Sequence, residues 1–422
     1  MLLNFLKKTY KIPHDYFDPF RIILDEKLHY FGEHFKNPSE RRSNFNKFKD
    51  FIYDLIFSIY FIIQTIIKNN PKGPNLISSS YFNLDDKLNA YGFNIYRPPW
   101  SLKRRQNIGS DWELFNSTLE LKRLLKNSDF KYFLSDEFFT KCIQFELKLS
   151  NWLKKNKIKG VIVANDVAFF ENILIKVAKK LQIPTFIFLH GLPARYNNID
   201  DNRADFLIVW GEKLKNNFIN VGFKKEKIIV AGHPNYRGVK LNIGLKFDFA
   251  NILIITKSLN GANHSDKSIL SDRGNVILYL KIVETVLRKN GVEKVRLRLH
   301  PSENLNWYLR YLDNDFYVFD SETLHDSISH SSLIIGPTST VFLESICLGV
   351  NYLVFEPVFN TLDILNNPIV PPFDGTDKNI PVANSEEQLD FFLRNKIMVN
   401  SDCILDYLNE SLDLSFLDYL KL

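Results

Sequence analysis

The residues best suited to chemistry stand at the ends of apolar runs. His300-Pro301 follows KVRLRL at 294–299. Proline cannot continue a β ladder, so the chain turns out of the sheet and leaves His300 at the strand tip. An imidazole there can donate to a phosphate oxygen, above all when protonated. A second group is Gly336-Pro337-Thr338-Ser339-Thr340, between SLII at 332–335 and VFLESICLG at 341–349. The hydroxyls of Thr338, Ser339 and Thr340 sit where a helix is expected to start, beside its unpaired N–H groups and the positive end of its dipole. That pattern suits an anion such as phosphate, and it equally suits a plain N-cap. Glu344, one turn further on, can accept from a ribose hydroxyl or simply complement the dipole. Lys257, after NILIIT at 251–256, can neutralise a diphosphate, or be a solvated surface lysine.

Two further tips lie earlier in the chain. Asp166 follows GVIVA at 160–164 and reads either as an N-cap or as a general base for an acceptor hydroxyl. His190-Gly191 closes PTFIFL at 184–189. His190 can orient an acceptor or a phosphate, and Gly191 lets backbone come close. His233-Pro234 reads first as structural.

The elements that hold these residues follow from the hydrophobic rhythm. Short continuous apolar runs alternate with helical periods from residue 160 to 355, which predicts parallel sheets covered on both faces. The rhythm lapses around 235–248 and restarts. The fold class is therefore α/β, with two Rossmann-like doubly wound domains facing a cleft. The expected boundaries are a helical N-terminal segment at 1–70, a first, acceptor-side domain at 71–238, a second, nucleotide-side domain at 239–400, and a C-terminal tail at 401–422. The stretch FIYDLIFSIYFIIQTII at 51–67 reads as a buried helix. A second reading is peripheral, in-plane membrane contact, helped by Arg41, Arg42, Lys47 and Lys49 upstream. It carries Asp54 and is too short to be a comfortable span.

Composition removes several classes. With 54 basic and 48 acidic residues among 422, the net charge of +6 is too mild to call for nucleic acid. Cys142, Cys347 and Cys403 form no CxxC pair, so a zinc ribbon is excluded, and a cytoplasmic location is expected. There is no GxGxxG, no GxxxxGK[ST] and no GxSxG. These absences disfavour nicotinamide or flavin enzymes, P-loop NTPases and serine hydrolases. The DxD-like pairs Asp313/Asp315 and Asp374/Asp377 fall away from strand tips, so no metal is invoked.

The runs KVAKKLQIPTFIFLHG, DFLIVWGEKLKNNFINVGFKKEKIIVAGHP, RLRLHPSE and SHSSLIIGPTSTVFLESICLGVNYLVFEP together resemble bacterial GT-B glycosyltransferases of the surface-polysaccharide group. That group includes polysialyltransferases, Kdo transferases and CDP-glycerol glycerophosphotransferases. The resemblance spans about residues 160–360. It implies a sugar moved from a nucleotide-activated donor, CMP-linked in part of the group, to a glycan or lipid-linked acceptor. The nucleotide-sugar is a substrate, so no cofactor is expected. The resemblance assigns donor phosphate and nucleotide to His300, Pro301 and the hydroxyls at 338–340. The acidic pair followed by glycine that holds the base in several sialyltransferases is missing, so Asp166 is the substitute. The second carboxylate of the EX7E arrangement is Tyr352 here, which favours inversion. Three alternatives remain open at this point: a nucleotide-sugar 2-epimerase on the same fold, a CDP-glycerol-type glycerophosphotransferase, and a non-catalytic binding protein.

Overall fold

The computed structural model describes residues 73–421, apart from 80–83, 102–110, 129–131, 194–195, 237–243, 258–272, 302, 304, 360–361 and 364–368, together with Ile52, Leu55 and Ile59. The expectation for 1–70 therefore lies almost wholly outside the described residues. The three described there are helical and exposed. The expected domain joint near residue 240 also lies outside them.

The first domain is built from β1 (Asn75–Ser79), α1 (Asp85–Ala90), β2 (Asn94–Tyr96), α2 (Trp112–Asn127), α3 (Asp136–Lys155), β3 (Ile158–Val163), α4 (Phe169–Lys180), β4 (Thr185–Phe188), β5 (Phe206–Val209), α5 (Glu212–Asn220) and β6 (Ile228–Val230). All its strand pairs are parallel, in the order β2-β1-β3-β4-β5-β6. The helical pattern from 112 to 155 is two helices. Asp111 caps the first by accepting from the Leu114 amide, and Ser135 caps the second by accepting from the Phe138 amide.

The second domain has β7 (Ile252–Ile255), α6 (Arg273–Lys289), β8 (Val295–Arg298), α7 (Leu305–Tyr308), β9 (Tyr317–Phe319), α8 (Leu324–Ser329), β10 (Leu333–Gly336), α9 (Val341–Cys347) and β11 (Tyr352–Phe355). A small antiparallel hairpin, β12 (Val358–Phe359) and β13 (Leu362–Asp363), precedes β14 (Val382–Ala383) and α10 (Glu386–Arg394). The sheet order is β14-β11-β10-β7-β8-β9, again parallel. Counted in chain order within the domain, this is the Rossmann order, which reverses direction between β7 and β10.

Alternation along these strands explains why their sequences are apolar throughout. Ile252, Ile254, Leu333, Ile335, Leu353 and Phe355 pack into the core under α6 and α10. Their neighbours Leu253, Ile255, Ile334, Tyr352 and Val354 belong to a second core on the opposite face. Both faces are buried, so neither position tolerates a polar side chain.

That second core is continuous with the core of the first domain. The C-terminal stretch closes it. Beyond α11 (Ile404–Tyr407), the Asn409 amide donates to Trp210 O at 2.8 Å and the Asp413 amide to Ala231 O at 2.8 Å. Phe416 packs on Phe186, and Leu417 and Leu420 are buried. The C-terminal residues thus pack back on the first domain. Gly211 and Gly232 permit this crossing. A Cβ on Gly211 would stand 2.4 Å from the Tyr407 carbonyl carbon, and one on Gly232 would stand 2.4 Å from Ser411 O.

Candidate functional site

The Rossmann order places a crevice outside the carboxyl ends of β7 and β10, where the strand order reverses. The sequence puts Thr256-Lys257 at the first of these ends and Pro337-Thr338 at the second. Lys257 Nζ donates to Thr338 Oγ1 at 3.3 Å, so a cation and a hydroxyl meet across the reversal. His300 enters from the tip of the neighbouring β8. Around them lies a cavity of about 330 Å³. Lys257, His300, Pro301, Thr338, Ser339 and Thr340 all line it, and Leu192 and Pro193 of the first domain complete it. The cavity thus lies between the domains. Its remaining walls include Val341, Val370 and Phe373.

Two carboxylates behind the cavity fix its polar groups. Glu303 accepts from the His300 amide at 2.8 Å, from the Tyr308 hydroxyl at 2.5 Å and from the Thr256 hydroxyl. It locks the His300-Pro301 turn to β7. Burial pushes its carboxyl up, and these three donors oppose the shift. Glu356, fully buried at the tip of β11, accepts from the Thr338 amide at 2.6 Å. Sequence reading missed both. The signal for Glu303 is its place three residues after His300, where a side chain can reach back to the turn's own N–H. The signal for Glu356 is its strand-tip position.

The helix start differs from expectation. Of the amides there, Thr338 N–H is taken by Glu356, and Val341 N–H donates to Ser339 Oγ at 3.2 Å. The helix itself, α9, has only 7 residues. Its dipole is correspondingly modest. The polar groups lining the cavity include Lys257, His300 and the hydroxyls of Thr338, Ser339 and Thr340. Arg298 also lines the cavity, but its guanidinium donates to Glu322 O and Ser327 Oγ and lies 3.6 Å from Asp320. Partial desolvation holds the His300 ring below the ordinary histidine value.

Glu344 does not line the cavity. It lies instead against the Tyr236 hydroxyl, where the chain crosses between domains, and burial pushes its carboxyl up. One turn of helix rotates it off the cavity face, which removes the expected ribose contact.

Asp166 is a second correction. It is fully buried. Its Oδ1 accepts from the Asp201 amide at 2.8 Å and from Arg203 Nη1 at 3.2 Å, and its Oδ2 accepts from the Arg203 amide at 2.8 Å. Both oxygens are occupied by the 201–203 turn, and no water-facing edge is left for an acceptor hydroxyl. Asp166 is a structural staple and not the base. Its charge, together with burial, pushes the neighbouring Asp201 carboxyl up to about 7, with burial the larger cause.

His190 follows β4 and is exposed; neither it nor Gly191 is among the residues that line the cavity. The His190 Nδ1 lies 3.0 Å from Ala164 O, which fixes the proton of the neutral ring on that nitrogen and makes Nε2 the basic one. Desolvation lowers its pKa. Gly191 brings the backbone against the second domain: the Leu192 amide donates to Thr340 Oγ1 at 2.9 Å. His233 does not line the cavity. It is buried between Trp210 and Tyr236, and desolvation pushes it down to about 3.

Comparison with solved structures finds similarity at low identity. UDP-GlcNAc 2-epimerase from Methanocaldococcus jannaschii is 14% identical, with 82% of this chain and 98% of that chain covered at a TM-score of 0.47. MurG from Acinetobacter baumannii is 14% identical, with 83% and 99% covered at 0.47. The lipopolysaccharide outer core galactosyltransferase WaaB is 10% identical, with 81% and 95% covered at 0.44. No family model and no curated protein sequence matches the chain. The two parallel six-stranded sheets and the interdomain cavity make the fold a GT-B-like α/β architecture.

Proposed function

We propose that this protein is a glycosyltransferase that moves a sugar from a nucleotide-activated donor to a glycan or lipid-linked acceptor. One observation carries the reading: Lys257, His300 and the hydroxyls of Thr338, Ser339 and Thr340 converge on one interdomain cavity. Three strand tips supply donors for anionic oxygens, and the other domain closes over them. Lys257 and the hydroxyls hold the donor phosphate, and they stabilise the charge that grows on it as the sugar leaves. His190 takes the proton of the acceptor hydroxyl through Nε2 and replaces Asp166 in that role.

Inversion is the course the sequence favours, since Tyr352 stands where the EX7E arrangement has its second carboxylate. A 2-epimerase on the same fold is the second reading.

The exposed helical residues Ile52, Leu55 and Ile59 support peripheral contact with a membrane, the surface on which lipid-linked acceptors are found. No described helix is long and apolar enough to cross a membrane. Co-sedimentation of the full chain with phosphatidylglycerol vesicles checks this contact, which Leu55→Asp with Ile59→Asp abolishes.

The primary test is a melting-temperature panel with CMP, CDP, UDP and GDP. At least one raises the melting temperature of the wild type, and none does so for Lys257→Met. Incubation of the matching nucleotide-sugar without acceptor then leaves the donor sugar unchanged. Its conversion to an epimer overturns the transferase reading.

A further inference from the structure

The Thr340 hydroxyl is shared between the domains in a way that anion binding alone does not require. It lines the cavity, and its oxygen accepts the Leu192 amide from the opposite domain at 2.9 Å. A hydroxyl carries one proton of its own. No described residue accepts that proton. With the oxygen engaged by an N–H, the O–H is polarised and becomes a better donor. An anion in the cavity that accepts it makes the oxygen, in turn, a stronger acceptor for the amide.

Gly191 makes this approach possible. A Cβ at residue 191 would stand 3.3 Å from Thr340 Oγ1, tighter than an ordinary contact, so any larger residue pushes the hydroxyl back. The pair Gly191-Leu192 comes 148 residues before the hydroxyl it meets.

We propose that Thr340 couples donor binding to the hold between the two domains, with Gly191 and Leu192 as positioning residues: the Leu192 N–H reaches Thr340 Oγ1 without a donor, and a donor phosphate oxygen that accepts the Thr340 O–H strengthens that link. This rests on the nucleotide-donor reading above. It goes further in making the first domain's backbone part of the donor site.

Hydrogen exchange read on peptides covering residues 189–193, with the nucleotides CMP, CDP, UDP and GDP, tests it. In the wild type, the nucleotide that raises the melting temperature also slows exchange at the Leu192 amide. Thr340→Val keeps the shape and removes the hydroxyl. It abolishes the added protection and weakens nucleotide binding by about tenfold to a hundredfold, the scale of a hydrogen bond to a charged group. Thr340→Ser restores both. Gly191→Ala weakens binding several-fold in the wild type and adds nothing in Thr340→Val, since the two act through one contact.

The failures are distinguishable. If no nucleotide stabilises the wild type, the donor reading falls and this coupling falls with it. If a nucleotide stabilises wild type and Thr340→Val alike, or leaves Leu192 exchange unchanged, the coupling is overturned while the donor reading stands.

Discussion

The carboxyl edges of the two sheets carry the same kinds of residue in different circumstances. In the second domain, Lys257, His300 and Thr338–Thr340 reach a common cavity, while the carboxylates Glu303 and Glu356 stand behind them and orient the turns. In the first domain, the acid at the tip of β3 is sealed under the 201–203 turn, and a histidine one strand over remains exposed. Both edges use carboxylates to tie down loops through backbone amides. A strand-tip position therefore nominates a residue for function, and the destination of its lone pairs decides it.

Three histidines sharpen the point. His300, His190 and His233 each end an apolar run. His233 is walled in by Trp210 and Tyr236 and pushed down to about 3, so it stays neutral across the working range. The other two are exposed.

The contrast can be broken most decisively at the second edge. Replacing His300 with Ala is expected to abolish turnover while the melting temperature of the unliganded protein stays near that of the wild type, as scanning calorimetry and a donor-consumption assay would show. Retained activity would take His300 out of the mechanism.

At the first edge the expectation is reversed. Asp166→Ala leaves Arg203 without its partner and should cost about 3–5 kcal/mol of stability, the scale for breaking a buried ion pair. Urea unfolding measures this. Near-normal nucleotide affinity in the folded fraction is expected, and a selective loss of turnover without loss of stability would return Asp166 to the catalytic role.

Acidity separates the histidines from each other. His190 acts neutral, and desolvation lowers its pKa, so the acid limb of kcat/KM should lie below the ordinary histidine value of about 6.5. His190→Asn removes that limb. His300 works the other way on binding. A bound anion favours the protonated ring, so nucleotide affinity should rise as pH falls toward 6, as titration calorimetry at two pH values would show.

The smallest effect is expected at Asp201. Its folded-state pKa of about 7 lies above the unfolded value, so the native state binds more protons. The stability this contributes is complete below the unfolded pKa and is lost as pH rises through about 7. Asp201→Asn, at a backbone φ of +57° that asparagine tolerates, should raise the melting temperature at pH 8 and change it little at pH 4.

Much of this architecture was legible in the chain. Apolar runs such as GVIVA, PTFIFL and YLVF can only be strands buried on both faces, and helical periods between them force parallel order. The tips of those strands follow directly, which is why Lys257, His300 and Thr338–Thr340 could be named as a group. Glu303 was less visible, since a carboxylate that caps a turn looks like any surface acid. At Glu344 and Asp166 both readings stay open in the sequence, because helical rotation and burial under a remote loop leave no local mark.

The sequence by itself determined the strands, the helices and the residues at their junctions, because those depend on side-chain period and on neighbours a few positions away. Tertiary structure alone decided that Asp166 is sealed, that Glu344 faces the domain crossing, that residues 401–421 complete the first core, and that the Leu192 amide meets the Thr340 hydroxyl. Each of these depends on segments far apart in the chain. Which polar atom satisfies which is settled only when packing brings those segments within hydrogen-bonding distance.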